Sequence, residues 1–162
     1  MSDYTVVVGV SETSGSPTAL RWAVTQAAHF GGRAIAVRAW KLPPATASRR
    51  PGASQLAHDP ETVATAAQQR LRDDVAGVLG HDHAVEIRLV EGSRRKVLVA
   101  QSADADMLVV DAPRTTDVSA QTLARKLVLH AQCPVVVMPR PSSEGTPETP
   151  SPDLRPVKGG RQ

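Results

Sequence analysis

Aromatic side chains are nearly absent from this chain: one Phe, one Tyr and two Trp stand among 162 residues. Platforms on which unpaired bases could stack are therefore scarce. The formal net charge is only +3, and the arginines are interspersed with acids rather than gathered with aromatics. Composition and patterning thus argue against nucleic acid as a partner. Cys133 is the single cysteine, which excludes an intrachain disulfide and suits a reducing compartment. No apolar run approaches the roughly 20 residues that span a bilayer, and the opening MSDYTVVVGV has no basic segment ahead of an apolar one. These absences lead us to expect a cytoplasmic protein with no membrane partner. One further gap is local: no glycine lies between Gly92 and Gly145.

What is present is a regular alternation. Residues 5–10 form a short, β-branched apolar run that suits a strand buried on both faces. Turn formers follow, and Ser16-Pro17 supplies an N-cap and a first-position proline for a helix that Gly31-Gly32 stops. A second strand is expected over 34–40, then a long loop over 41–58 rich in Pro, Ala, Ser and Arg. Asp59-Pro60-Glu61 opens another helix, whose Val63, Ala67, Leu71, Val75 and Val78 form one stripe and which Gly80 ends. Strands at 84–90, 107–110 and 135–138 then alternate with helices at 93–103 and 119–131. Five strands separated by four helices imply parallel pairing through right-handed crossovers, hence an open, doubly wound α/β sheet with helices on both faces. From Pro139 onward Pro, Ser, Gly and Thr dominate without an apolar face. We therefore expect one domain over 1–140 and a disordered tail over 141–162.

Three stretches in these positions resemble the universal stress protein family: VVVGVSETSGSPTALRWAV, VEGSRRKVLVAQSADADMLVV and LHAQCPVVVMP. With the matching element order they cover about residues 4–140. The resemblance implies an adenine nucleotide alpha hydrolase-like fold with sheet order 3-2-1-4-5. It also implies a homodimer, often formed through the fifth strand, here Val135, Val136, Val137 and Met138 between two prolines. An apolar edge of this kind invites pairing with its twin.

One branch of the family binds ATP through a pattern after strand four: a glycine, two residues, a second glycine, nine residues, then glycine followed by Ser or Thr. Glycines there let backbone N–H groups approach phosphate oxygens. In this sequence the corresponding positions hold Asp111, Arg114 and the pair Gln121-Thr122, with six residues between Arg114 and Gln121. Only the Thr122 hydroxyl survives. Asp111 brings a carboxylate where phosphate charge would be expected, and like charges in close approach are unfavourable. Pro113 removes a donor. After Gly9-Val10 the family's nucleotide binders usually carry Asp near the adenosine, and Ser11 stands there instead. The tentative cleft is thus Gly9, Val10, Ser11, Asp111, Arg114, Gln121 and Thr122. No cofactor is expected in the family's standard mode, and ATP is kept as the lesser alternative.

Other candidates admit plain structural readings. Arg94, Arg95 and Lys96 would open a helix, where each exposed cation facing the positive dipole end costs about 0.3–1 kcal/mol. They could attract an anion, but a solvated face suffices. His81-Asp82-His83 has metal-binding residue types without a second cluster, and Cys133 suits a small buried hydrophobe. There is no Gly-x-Ser-x-Gly elbow, no Gly-Lys-Ser/Thr loop and no evident acid–base pair, so no catalytic residue is expected. The leading expectation is a non-catalytic, dimeric stress-response protein that acts through an unnamed protein partner. The alternatives are a switch that binds an adenine nucleotide or another anion, and an enzyme acting on a nucleotide or phosphate.

Overall fold

A strand covered on both faces must be apolar along its whole length, and the first such run is buried from end to end. The computed structural model describes residues 3–42, 59–112 and 118–139, with backbone only for 118–122. The elements are β1 (Thr5–Gly9), α1 (Pro17–His29), β2 (Arg33–Trp40), α2 (Pro60–Leu79), β3 (Glu86–Glu91), α3 (Arg94–Gln101), β4 (Met107–Asp111), α4 (Val118–His130) and β5 (Val135–Met138). The five strands form one sheet in the order β3-β2-β1-β4-β5, with every adjacent pair parallel. The expected sheet order, strand direction and strand-helix alternation are all observed.

The period of two along the strands divides the core into two layers. Val6, Val8, Ala34, Ala36 and Val109 face Ala19, Leu20 and Ala23 of α1 and Leu71 and Val75 of α2. Val7, Ile35, Val37, Leu108 and Val110 face Val97 and Leu98 of α3 and Leu127 of α4. Each fully buried Leu or Val of these layers contributes roughly 1.5–3 kcal/mol by leaving water.

Helix boundaries follow local chemistry, with two departures from expectation. Asp59 caps α2 as its residue type predicts, its Oδ2 accepting from Thr62 N at 3.1 Å. Ser16 occupies the N-cap position of α1 ahead of Pro17, yet its φ of 48° is left-handed and its side chain caps nothing in the helix. Its hydroxyl instead accepts from Ser11 N at 3.0 Å, because the tight turn brings that amide beneath it. The expected third helix also shortens: at Ser102 it passes into a 3-10 turn, Ser102–Asp104. The buried Ser102 hydroxyl donates to Val99 O and accepts from Gln132 N, which ties this turn to the approach to β5. At the other end of α1, Gly32 is required by space: a Cβ there would lie 1.9 Å from Tyr4 O, whose carbonyl accepts from Arg33 N.

The strand expected from residue 84 begins at Glu86 and runs to Glu91. Residues 43–58 of the expected loop and the expected tail lie outside the described residues. Among the described residues, no helix is long and apolar enough to cross a membrane.

Candidate functional site

Open parallel sheets bind ligands beyond the carboxyl ends of their strands, where the strand order reverses. Here that reversal lies between β2 and β4 on either side of β1. Gly9 ends β1 beside Val110 of β4, and a Cβ on Gly9 would press on Leu98 and Val110 at 3.0–3.1 Å. Val10 is buried and donates its N–H to Val37 O, which carries the chain outward to Ser11.

Ser11 begins a turn held by its own polar groups. Its carbonyl accepts from Gly15 N and from Arg38 Nη2, each at 3.0 Å, and its hydroxyl pairs with Thr13 Oγ1 at 3.0 Å. Beside this turn a cleft of about 430 Å³ opens at the carboxyl ends of β1, β2 and β3. Its walls include Val10, Ser11, Trp40, Lys41, Ser93 and Arg94. The three consecutive cations at the start of α3 are all exposed, and Arg94 is the one of them that lines this cleft. Desolvation lowers the Arg94 guanidinium from its ordinary value; nearby Glu12 opposes that shift and Arg38 reinforces it.

Asp111, which stands where the family pattern would place its first glycine, accepts at Oδ1 from Ala19 N at 2.8 Å. Ala19 is the third residue of α1, so Asp111 reaches across from β4 to satisfy a first-turn donor that Ser16 leaves open. A carboxylate at that helix end also complements the dipole. It is not among the described walls of the cleft. Gly9, Val10, Ser11 and Asp111 thus stand at the same sheet edge, but only Val10 and Ser11 line the cleft. Arg114 lies outside the described residues, and Gln121 and Thr122 are placed in α4 by backbone alone.

Arg38 belongs to no motif of the sequence, although it is a charged residue inside a strand that is apolar after Arg33. It is 3% exposed, and its Nη2 meets Asp74 Oδ2 of α2 at 2.5 Å as well as the Ser11 carbonyl. A guanidinium in a strand covered on both faces demands such partners, and that demand was the available signal.

The remaining candidates have ordinary surroundings. His83 Nδ1 accepts from Val85 N in the turn before β3. Cys133 packs against the α3–α4 side of the core. Burial pushes its thiol pKa up, with the Asp106 carboxylate adding to the rise, which suits a protonated and poorly nucleophilic sulfur. At the sheet edge, β5 pairs with β4 and leaves Val137 39% exposed.

Comparison with known proteins agrees with this architecture. A universal stress protein in complex with cAMP superposes with a TM-score of 0.57 at 20% identity, covering 85% of this chain and 98% of its own. A universal stress protein family protein from Arabidopsis thaliana with AMP bound gives a TM-score of 0.57 at 18% identity, covering 90% and 97%. A universal stress protein from Lactobacillus plantarum gives 0.55 at 18%, covering 85% and 99%. At such identities the likeness establishes the fold. No curated protein matches the chain. The family model of the universal stress proteins matches residues 4–139, nearly the whole described domain, and this chain belongs to the universal stress protein family.

Proposed function

We propose that this protein is a non-catalytic, regulatory member of its family that works in the cytoplasm as a dimer and does not hold ATP through the family's glycine-rich phosphate loop. The observation that carries this reading is the Asp111 carboxylate, fixed on Ala19 N where the pattern would place its first glycine. Backbone N–H groups in a glycine turn attract phosphate; a carboxylate beside them repels it. The described cleft also favours no hydrolytic role, because the Ser11 hydroxyl pairs with Thr13 rather than with an imidazole or carboxylate. Regulation through an unnamed protein partner follows as the simplest use of such a scaffold.

The dimer is assigned to the β5 edge. Val137 is 39% exposed, and Val128 and Leu129 of the neighbouring α4 are 63% and 66% exposed, so the edge and its flanking helix offer apolar surface together. Pairing two such edges satisfies backbone donors and acceptors while covering that surface. Multi-angle light scattering of the full chain should give twice the monomer mass; a monomer over a wide concentration range would refute the assignment.

A second reading is favoured by the cleft itself. Ser11, Lys41, Ser93 and Arg94 line a space of about 430 Å³, within the roughly 300–1,000 Å³ of small-molecule sites. Two proteins of this fold carry AMP or cAMP. An adenine mononucleotide or another anion held by Arg94 and Lys41 would make the protein a ligand-dependent switch. Mass spectrometry of small molecules released on denaturing freshly purified protein separates the readings. A stoichiometric nucleotide supports the switch, and none supports the ligand-free regulator.

A further inference from the structure

The turn that follows β1 is pinned at Ser11 from several sides. The Ser11 carbonyl accepts from Gly15 N and from the buried Arg38, its N–H donates to Ser16 Oγ, and its hydroxyl accepts from Thr13 N at 3.3 Å. Gly15 and Ser16 hold left-handed backbone, at φ of 63° and 48°, and such a conformation persists in a serine only where the surroundings over-determine it. A turn fixed this firmly fixes the backbone of Glu12 as well. Glu12 is exposed and lines the sheet-edge cleft between Ser11 and Thr13, at the point where that cleft meets the neighbouring cavity against α2.

Among the described walls of the cleft Glu12 is the one carboxylate, set against two cations, Lys41 and Arg94. Among the described residues none of these three side chains forms an ion pair. They do act on one another: desolvation lowers the Arg94 pKa, and the Glu12 carboxylate is the charge that opposes the fall. A ligand with a single phosphate meets both cations, and its hydroxyl donors can face Glu12. Each further phosphate adds negative charge without finding another cation in these walls. In a space of about 430 Å³ that charge stays within roughly a Debye length of Glu12, about 8–10 Å near physiological ionic strength, so salt does not cancel the repulsion.

We propose that Glu12 is a specificity-determining residue that makes the cleft accept a nucleoside monophosphate and reject the corresponding triphosphate. The single phosphate pairs with Arg94 and Lys41, a ribose hydroxyl donates to the Glu12 carboxylate, and the same carboxylate repels added phosphates. This rests on the reading of the cleft as a nucleotide site, and it adds a selection by charge that does not depend on Asp111.

The test titrates the full chain, stripped of bound small molecules, with AMP, ADP and ATP in magnesium-free buffer, calorimetrically and at low salt. AMP should bind at least about tenfold more tightly than ATP, with ADP between them. Glu12→Gln, at an exposed position, should narrow that ratio to about threefold or less by strengthening ATP, and the narrowing should fade at about 0.5 M salt. Asp82→Asn removes the same charge ahead of β3, at the opposite edge of the sheet, and should leave the ratio as it is. AMP binding with a ratio that Glu12→Gln does not change, or that Asp82→Asn changes equally, overturns the proposal alone. The absence of any nucleotide binding up to about 10 mM, in the unaltered chain and in Glu12→Gln, overturns the proposal together with the reading of the cleft on which it rests.

Discussion

Ser16 holds a left-handed backbone at the start of α1 and turns its hydroxyl back to Ser11, so the helix's first donors need an acceptor from elsewhere. Asp111 supplies it from another strand. Removing that acceptor in Asp111→Ala should destabilise the fold by about 1–2 kcal/mol, with Asp111→Asn recovering part through its amide oxygen. Urea unfolding checks this, and an unchanged midpoint in Asp111→Ala would count against the role. Arg38 makes a second residue-scale case. Asp74→Ala leaves its guanidinium buried with the Ser11 carbonyl as its remaining partner, and should cost about 2–3 kcal/mol, less than a fully buried pair because Asp74 is 38% exposed. Asp111 was legible as a departure from the family's glycine, but its bond to Ala19 joins residues 92 positions apart and no local pattern reports it. Arg38 could have been read from its place in an apolar strand; its partner on α2 could not.

At the scale of elements, local chemistry was the better guide. The strand at 135–138 and the cap, proline and stripe of α2 stand where spacing puts them. Where it misled, a tertiary bond intervened: Ser102 ends α3 because its hydroxyl answers Gln132. The sharp exit from α1 depends on Gly32, and Gly32→Ala should cost about 1–3 kcal/mol, since its Cβ would collide with backbone at Tyr4 rather than with a pliable side chain. Thermal unfolding reads this directly. The β5 edge makes the other element-scale prediction. Val137→Lys places a charge on the exposed edge, which should shift the proposed dimer toward monomer in light scattering while leaving the circular dichroism spectrum unchanged.

The whole molecule was legible in class from the alternation of periods, whereas the order of strands came from the family resemblance and not from the residues' spacing. The order matters because it sets β1 between β2 and β4 and so locates the cleft. The cleft's composition was less legible: Ser11 was anticipated, but Trp40 and Lys41 reach it only because β2 lies beside β1, and Arg94 because α3 starts at the same edge. On the function proposed above, this protein does not grip a triphosphate in the family's glycine-loop manner. Calorimetric titration of nucleotide-stripped protein with ATP, with and without magnesium, tests it most directly. No ATP binding in the micromolar range and no strengthening by magnesium are expected; a micromolar, magnesium-enhanced ATP affinity would overturn the proposed function.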